Sequence, residues 1–239
     1  MALKIMKRLM GKPQKGSRAE EKLQKRKEKF QSSRWQRESE LARRNYASYE
    51  EYLEHQSSKL DRIKDRLERH EDDTYEDFRS RFASCEPLKE MRNVLCLGAR
   101  LGTEVKAFHS LGKFAVGLDL NPGPDNLYVL PGDFHKVVFP DGSVDAVYTN
   151  ALDHAFDLER LSREVRRLLR PGGIFVIDHV KGFEEGFVPG EYEALHWDTS
   201  ETLIKRVCDA GGFERVQSRK LDTKDKYEWI QSVVRRPLS

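Results

Sequence analysis

The 239-residue sequence holds three cysteines, Cys85, Cys96 and Cys208, too few and too scattered for a disulfide framework or a C-x-x-C metal pattern. Such sparse cysteine is expected of a reducing compartment, and hence of a cytoplasmic location. No apolar run approaches the ~20 residues that a membrane-spanning helix needs. H-E-x-x-H is absent and no other histidine–carboxylate spacing argues for a metal, so none is expected. Internal repeats and low-complexity segments are missing as well. What remains, at 38% hydrophobic content, is enough for one α/β domain and an appendage.

The net charge of +3 conceals an asymmetry. Residues 1–50 hold 15 Lys/Arg against 6 Asp/Glu, a balance of +9, whereas residues 51–239 hold 28 against 34, a balance of −6. Residues 1–16 contain no acid, and Leu3, Ile5, Met6, Leu9 and Met10 alternate with Lys4, Lys7 and Arg8. One reading is a basic amphipathic helix on an anionic membrane surface; the other is a frayed, solvated terminus. Residues 18–44 contain neither glycine nor proline and are dense in helix formers, which predicts a long exposed helix. Leu23, Phe30, Trp35 and Leu41 are too sparse for a heptad seam, so docking on the domain or on a second copy through Phe30 and Trp35 is expected. Basic residues among aromatics also suit nucleic acid, although the interspersed glutamates favour a solvated face. Next, Ser48 with Glu51 is a capping box that opens a helix bearing Tyr49, Leu53, Ser57, Leu60, Ile63 and Leu67. Glu71-Asp-Asp-Thr is expected to break it, and residues 75–82 to resume as a short helix.

Residues 93–122 organise the rest of the chain. Val94-Leu-Cys-Leu97 has the length and composition of a buried parallel strand. Gly98-Ala-Arg-Leu-Gly102 follows, then a helical pattern closed by Gly112, then a second apolar run from Phe114 to Leu118 that ends on Asp119. Strand, glycine turn, helix, strand and terminal carboxylate form the nucleoside-holding half of a doubly wound sheet, in which a carboxylate accepts bonds from two ribose hydroxyls. The dinucleotide fingerprint G-x-G-x-x-G is not met.

This stretch resembles the first motif of the class I S-adenosylmethionine-dependent methyltransferases, an acidic residue, any residue, then G-x-G-x-G. Gly98 and Gly102 match; Arg100 stands at the middle glycine and Cys96 at the leading acid. The resemblance continues through Gly132-Asp-Phe134, the turn Pro140-Asp-Gly142, a fourth strand ending in Tyr148-Thr-Asn150, and LSREVRRLLRPGGIFVID, an amphipathic helix and fifth strand closing on Asp178. It implies an α/β fold, a doubly wound, mostly parallel seven-stranded sheet with a C-terminal antiparallel hairpin, the hairpin strands being residues 213–221 and 227–235. A helical N-terminal extension over residues 1–85 would precede the methyltransferase domain at 86–239, and in this family such extensions often form a lid.

The resemblance further implies S-adenosylmethionine as cofactor and S-adenosylhomocysteine as product. It carries over Gly98, Ala99, Arg100, Gly102, Asp119, Leu120, Asp133, Phe134 and Asn150 as cofactor-binding residues, Asp133 accepting from the adenine amino group and Leu120 and Phe134 flanking the ring. Ligands of such sheets sit outside the carboxyl ends of the strands, where His135, Asp153, His154, Asp178 and His179 are expected. His154 is the first candidate for a base or acceptor-orienting group, followed by Asp153 and His179. The expected acceptor is a small molecule or a glycan or lipid-linked sugar. RNA or protein held by the basic arm, and a non-catalytic scaffold that has lost its cofactor, are the alternatives.

Overall fold

The structure, a computed structural model, describes residues 35–223 and 227–239 and, before them, only Lys25 and Glu28, which are helical. The basic stretch at residues 1–16, with its proposed membrane contact, and the rest of the expected helix up to residue 34, with Phe30, lie outside the described residues.

Among the described residues, ten strands and six α-helices follow. Strands β1 (Trp35–Glu38) and β2 (Leu41–Arg44) form a hairpin. Helices α1 (Tyr49–Ser57), α2 (Lys59–Arg69) and α3 (Glu71–Ala83) come next. The nucleoside-binding half contains β3 (Asn93–Leu97), α4 (Thr103–Ser110), β4 (Phe114–Asp119) and β5 (Val129–Pro131). Then come β6 (Val144–Thr149), α5 (Leu158–Leu168), β7 (Leu169–Val180) and β8 (Leu195–Trp197). The chain closes with α6 (Ser200–Gly211), β9 (Glu214–Leu221) and β10 (Trp229–Arg235).

Seven strands make one sheet in the order β5-β4-β3-β6-β7-β10-β9. The first five are parallel, and β10 runs antiparallel between β7 and β9. The doubly wound sheet and its C-terminal hairpin are those expected. Burial on both faces explains why the central strands read as continuous apolar runs. Leu95 and Leu97 pack with Leu158, Leu161 and Trp197, whereas Val94 and Cys96 pack with Phe82, Phe108 and Tyr148. The Phe82 and Phe108 rings stack at 3.9 Å and join α3 to α4.

The described residues correct the expectation for residues 35–44, which form a hairpin and not a helix. Leu41 and Ala42 are buried because β2 pairs antiparallel with β8, the edge of a three-stranded sheet. Trp35 takes the Arg44 guanidinium over its ring at 5.0 Å. That pairing joins segments some 150 residues apart, and local helix propensity cannot register it. A second correction concerns Glu71-Asp-Asp-Thr, which opens α3 instead of breaking a helix. Its acids complement the positive N-terminal end of the helix dipole. The break falls at His70. Leu41 shares a core with β7 and α6, and Phe78 and Phe82 share one with α4, so residues 35–85 pack throughout against the sheet-bearing part.

Candidate active site

Asp119 ends β4, and both its oxygens are held by the backbone. Arg100 N–H donates to Oδ2 at 3.0 Å, and Asn121 N–H donates to Oδ1 at 2.9 Å. Each oxygen keeps a lone pair for a further donor. Burial raises the Asp119 pKa, and those two amides, with the charges of Arg100 and Lys59, oppose the rise. The turn before α4 makes this arrangement. Gly98 and Gly102 take φ of +74° and +81°, and a Cβ on Gly98 would stand 2.7 Å from the Ala151 Cβ. Arg100, at the position of the family's middle glycine, also has a positive φ of +44°. It is held from both sides, its N–H on Asp119 and its carbonyl accepting from Asn126 Nδ2 at 3.1 Å. The bulkier residue therefore does not unmake the turn.

Three cavities run along the carboxyl ends of the strands. The first is lined by Gly98, Arg100, Asp119, Leu120, Phe134 and His154 from the sheet side, and by Tyr52, Gln56 and Lys59 from α1 and α2. The second shares Gly98 and Arg100 with it and adds Ala99, Glu104, Asn150, Leu67, Thr74 and Phe78. The third shares Thr74, Phe78 and Asn150 with the second and adds Asp77, Arg81, Thr223 and Trp229. Shared walls make them one trough.

Of the expected cofactor residues, Gly98, Ala99, Arg100, Asp119, Leu120, Phe134 and Asn150 line the trough, and Gly102 and Asp133 do not. Gly102 stands at the start of α4, against Tyr128 and Val129. Asp133 is engaged elsewhere: Tyr49 Oη donates to Oδ2 at 2.6 Å, and His135 N–H to Oδ1 at 2.8 Å. Burial raises its pKa, but bonds from His135 and Tyr49 outweigh this and hold it below the ordinary carboxylate value. In this structure Asp133 ties α1 to the sheet.

The expected catalytic residues are separated. His154 lines the first cavity, with Nδ1 2.9 Å from the Tyr192 carbonyl and Nε2 2.6 Å from Lys59 Nζ. A carbonyl accepts, so Nδ1 carries the proton and Nε2 receives from Lys59. Burial, and then the charges of Lys59 and Arg100, hold His154 well below its ordinary pKa, while burial brings Lys59 down to about 8. Asp153 Oδ1 lies 3.7 Å from His154 Nε2, beyond hydrogen-bond reach. His179 is buried between β7 and β10, with Nε2 3.0 Å from Ser232 Oγ, and lines none of the three cavities. Asp178 is spent internally on Arg81, Tyr148 and Gln231.

Sequence reasoning did not single out the trough residues Tyr52, Lys59, Thr74, Phe78 and Glu104. The first four come from helices whose packing on the sheet leaves no local signature. Glu104, two residues past Gly102, reads as an ordinary acid in the first turn of a helix. Among the described residues no helix is long and apolar enough to cross a membrane, and no group of His, Cys, Asp and Glu could hold a metal.

S-adenosylmethionine fits the residues present. Asp119 is aimed and half-satisfied at the carboxyl end of β4, Leu120 and Phe134 offer apolar walls beside it, and the trough continues past Gly98.

The comparisons agree with that geometry. Residues 95–177 match the model of a methyltransferase domain family. A sterol 24-C-methyltransferase of Gibberella zeae is 43% identical over 68 residues, covering 28% of this chain and 18% of that protein. Its counterpart in Pneumocystis carinii is 40% identical over 114 residues, covering 42% and 30%. The matches thus span less than a third of either relative's length. Among solved structures, the Burkholderia thailandensis 1,6-didemethyltoxoflavin-N1-methyltransferase, with that compound and S-adenosylhomocysteine bound, superposes with a TM-score of 0.62 at 16% identity, covering 86% of this chain and all of that one. A putative methyltransferase of Haloferax volcanii in complex with the Trm112 activator gives 0.57 at 20% identity, covering 76% and 97%. With its strand order, its glycine turn and the methyltransferase domain matched over residues 95–177, the chain has the fold of the class I S-adenosylmethionine-dependent methyltransferases.

Proposed function

We propose that this protein transfers the methyl group of S-adenosylmethionine to a small-molecule acceptor held in the third cavity. The carrying observation is the continuity of the trough. It begins at the ribose-binding type of carboxylate, Asp119, passes the glycine turn, and ends in a pocket framed by Phe78, Arg81, Asn150 and Trp229. The cofactor, when bound, supplies an electrophilic methyl group on a sulfonium.

Asp119 would accept from the ribose hydroxyls, and Leu120 and Phe134 would flank the adenine. Asn150, shared by the second and third cavities, stands where cofactor and acceptor would meet. The protein's part in such a displacement is to align the acceptor and exclude water. Tyr52, Lys59, Thr74 and Phe78, which line the trough from the helices before the sheet, would take part in this. His154 has both nitrogens engaged and belongs to the first cavity, which favours a role in fixing Lys59 over that of a base. At the third cavity Asp77 is a carboxylate with no hydrogen bond or ion pair to another described residue, and an oxygen acceptor would lose its proton to it. An amine acceptor would need only desolvation and the loss of a proton to solvent.

The test is incubation of the protein with methyl-labelled S-adenosylmethionine and cell extract, with Asp119→Ala as the control. Label is expected in a small-molecule fraction and to be lost in the variant. Label found only in RNA or in protein would replace the small-molecule acceptor with a polymer.

A further inference from the structure

Two residues of the first motif depart from the family pattern, and one of them lines the second cavity. The acid expected at position 96 is a cysteine, fully buried and facing Phe82 and Phe108. The glycine expected at position 100 is an arginine that lines the first two cavities. The same cavity contains a carboxylate that the pattern does not require, Glu104.

Glu104 is 5% exposed, an unusual burial for a glutamate without a countercharge bonded to it. Its carboxylate takes only its own backbone N–H and makes no hydrogen bond or ion pair with any other described residue. Burial drives its pKa up to about 8, a rise that Arg100 opposes and Asp119 reinforces. The Arg100 guanidinium likewise makes no hydrogen bond or ion pair with a described residue, although it sits in the same cavity and acts on the same carboxyl. Cys96 and Tyr148 are the other titratable groups that feel Glu104, and burial keeps both neutral. An acid at position 96 would therefore face the Glu104 carboxylate, and the cysteine removes that repulsion.

A buried carboxylate and a half-buried guanidinium, neither paired with a described residue and both lining one cavity, match a zwitterion that carries an ammonium and a carboxylate. We infer that Glu104 and Arg100 form a clamp for the amino-acid end of S-adenosylmethionine, with Glu104 on the ammonium and Arg100 on the carboxylate, so that the missing acid of strand β3 is replaced from helix α4. This inference rests on the proposed function, and it goes beyond it by assigning that end of the cofactor to residues which the family pattern does not supply.

The test is calorimetric titration of the full chain with S-adenosylhomocysteine and with 5′-methylthioadenosine, which lacks the amino-acid group. Glu104→Gln is expected to weaken S-adenosylhomocysteine by ~10-fold or more, the worth of one charged hydrogen bond, and to leave 5′-methylthioadenosine within ~2-fold. Arg100→Gly should show the same contrast. A measurement on the unaltered protein needs no variant. At pH 6.5 Glu104 begins protonated and must ionise to hold an ammonium, so binding should release close to one proton with S-adenosylhomocysteine and none with 5′-methylthioadenosine. The release is read from the dependence of the binding enthalpy on buffer ionisation. Equal losses for both ligands, or no difference in proton release, would overturn the clamp and leave the methyltransferase reading standing. Failure of the folded wild-type protein to bind either ligand would overturn both.

Discussion

Asp119 and Glu104 are both carboxylates on the trough, yet the fold prepares them in opposite ways. Asp119 accepts a backbone N–H on each oxygen and is held in place whether or not a ligand is present. Glu104 is buried with only its own amide and is driven toward its neutral form. The contrast fits the roles proposed for them. A preorganised acceptor loses little on binding neutral hydroxyls, whereas an unpaired buried carboxyl is worth its cost to the fold only if a cation arrives.

The largest expected effect breaks the preorganised side. Asp119→Ala removes two charge-assisted acceptors and also strands the N–H groups of Arg100 and Asn121. A loss of at least ~100-fold in S-adenosylhomocysteine affinity is expected from bonds worth ~1.5–3 kcal/mol each, read by calorimetry. A loss under tenfold would mean that Asp119 serves the turn and not the ligand.

Glu104→Gln should act in the opposite direction on stability. A carboxyl whose pKa rises from 4.5 to about 8 on folding penalises the fold increasingly as pH climbs through that window, and not below it. At pH 7 the penalty is on the order of 3 kcal/mol, from ~1.36 kcal/mol per unit. Urea unfolding at pH 7 should show the variant more stable than the parent, with the difference vanishing near pH 4. A variant less stable than the parent at pH 7 would show that Glu104 has a structural partner.

A smaller effect distinguishes the first cavity from the third. General bases contribute ~10²–10⁴-fold to turnover. His154 has Nε2 taken by Lys59, so His154→Ala should reduce turnover by less than ~10-fold, below that range. A drop of 10²-fold or more, with affinity unchanged, would restore His154 as the base.

The legibility of the chain divides along the same line as the comparison. The stretch from Asn93 to Val180 was readable because parallel strands buried on both faces must be apolar throughout, and because left-handed turns call for glycine. Gly98, Asp119 and Phe134, which line the first cavity, lie in that stretch. The hairpin of β1 and β2 did not, since its reason for being extended is Leu195–Trp197, far along the chain. That both ring nitrogens of His154 are engaged was not legible, because the partners, Lys59 and the Tyr192 carbonyl, belong to other segments. Asp133 matched a motif, but Tyr49 of α1 occupies it. Glu104 was hidden for a different reason: an acid at the start of a helix is so ordinary that only its burial makes it informative.

The smallest expected effect compares two L-residues in left-handed backbone. Ser39 turns the β1–β2 hairpin at φ +58°, and Arg100 turns the first motif at φ +44°. Glycine relieves this conformation at the cost of a freer unfolded chain, so Ser39→Gly should gain ~0.5 kcal/mol or less, seen as a rise of ~1–2 °C in Tm. Ser39 lines none of the cavities, and ligand affinity should not move. Arg100→Gly relieves a similar strain and should gain similarly, but it also removes the guanidinium beside Glu104. If it raises Tm while S-adenosylhomocysteine binding falls, the arginine is kept at this turn for the ligand and against the backbone's preference. If it lowers Tm and spares binding, the side chain is holding the turn together, and the strain at position 100 belongs to the fold.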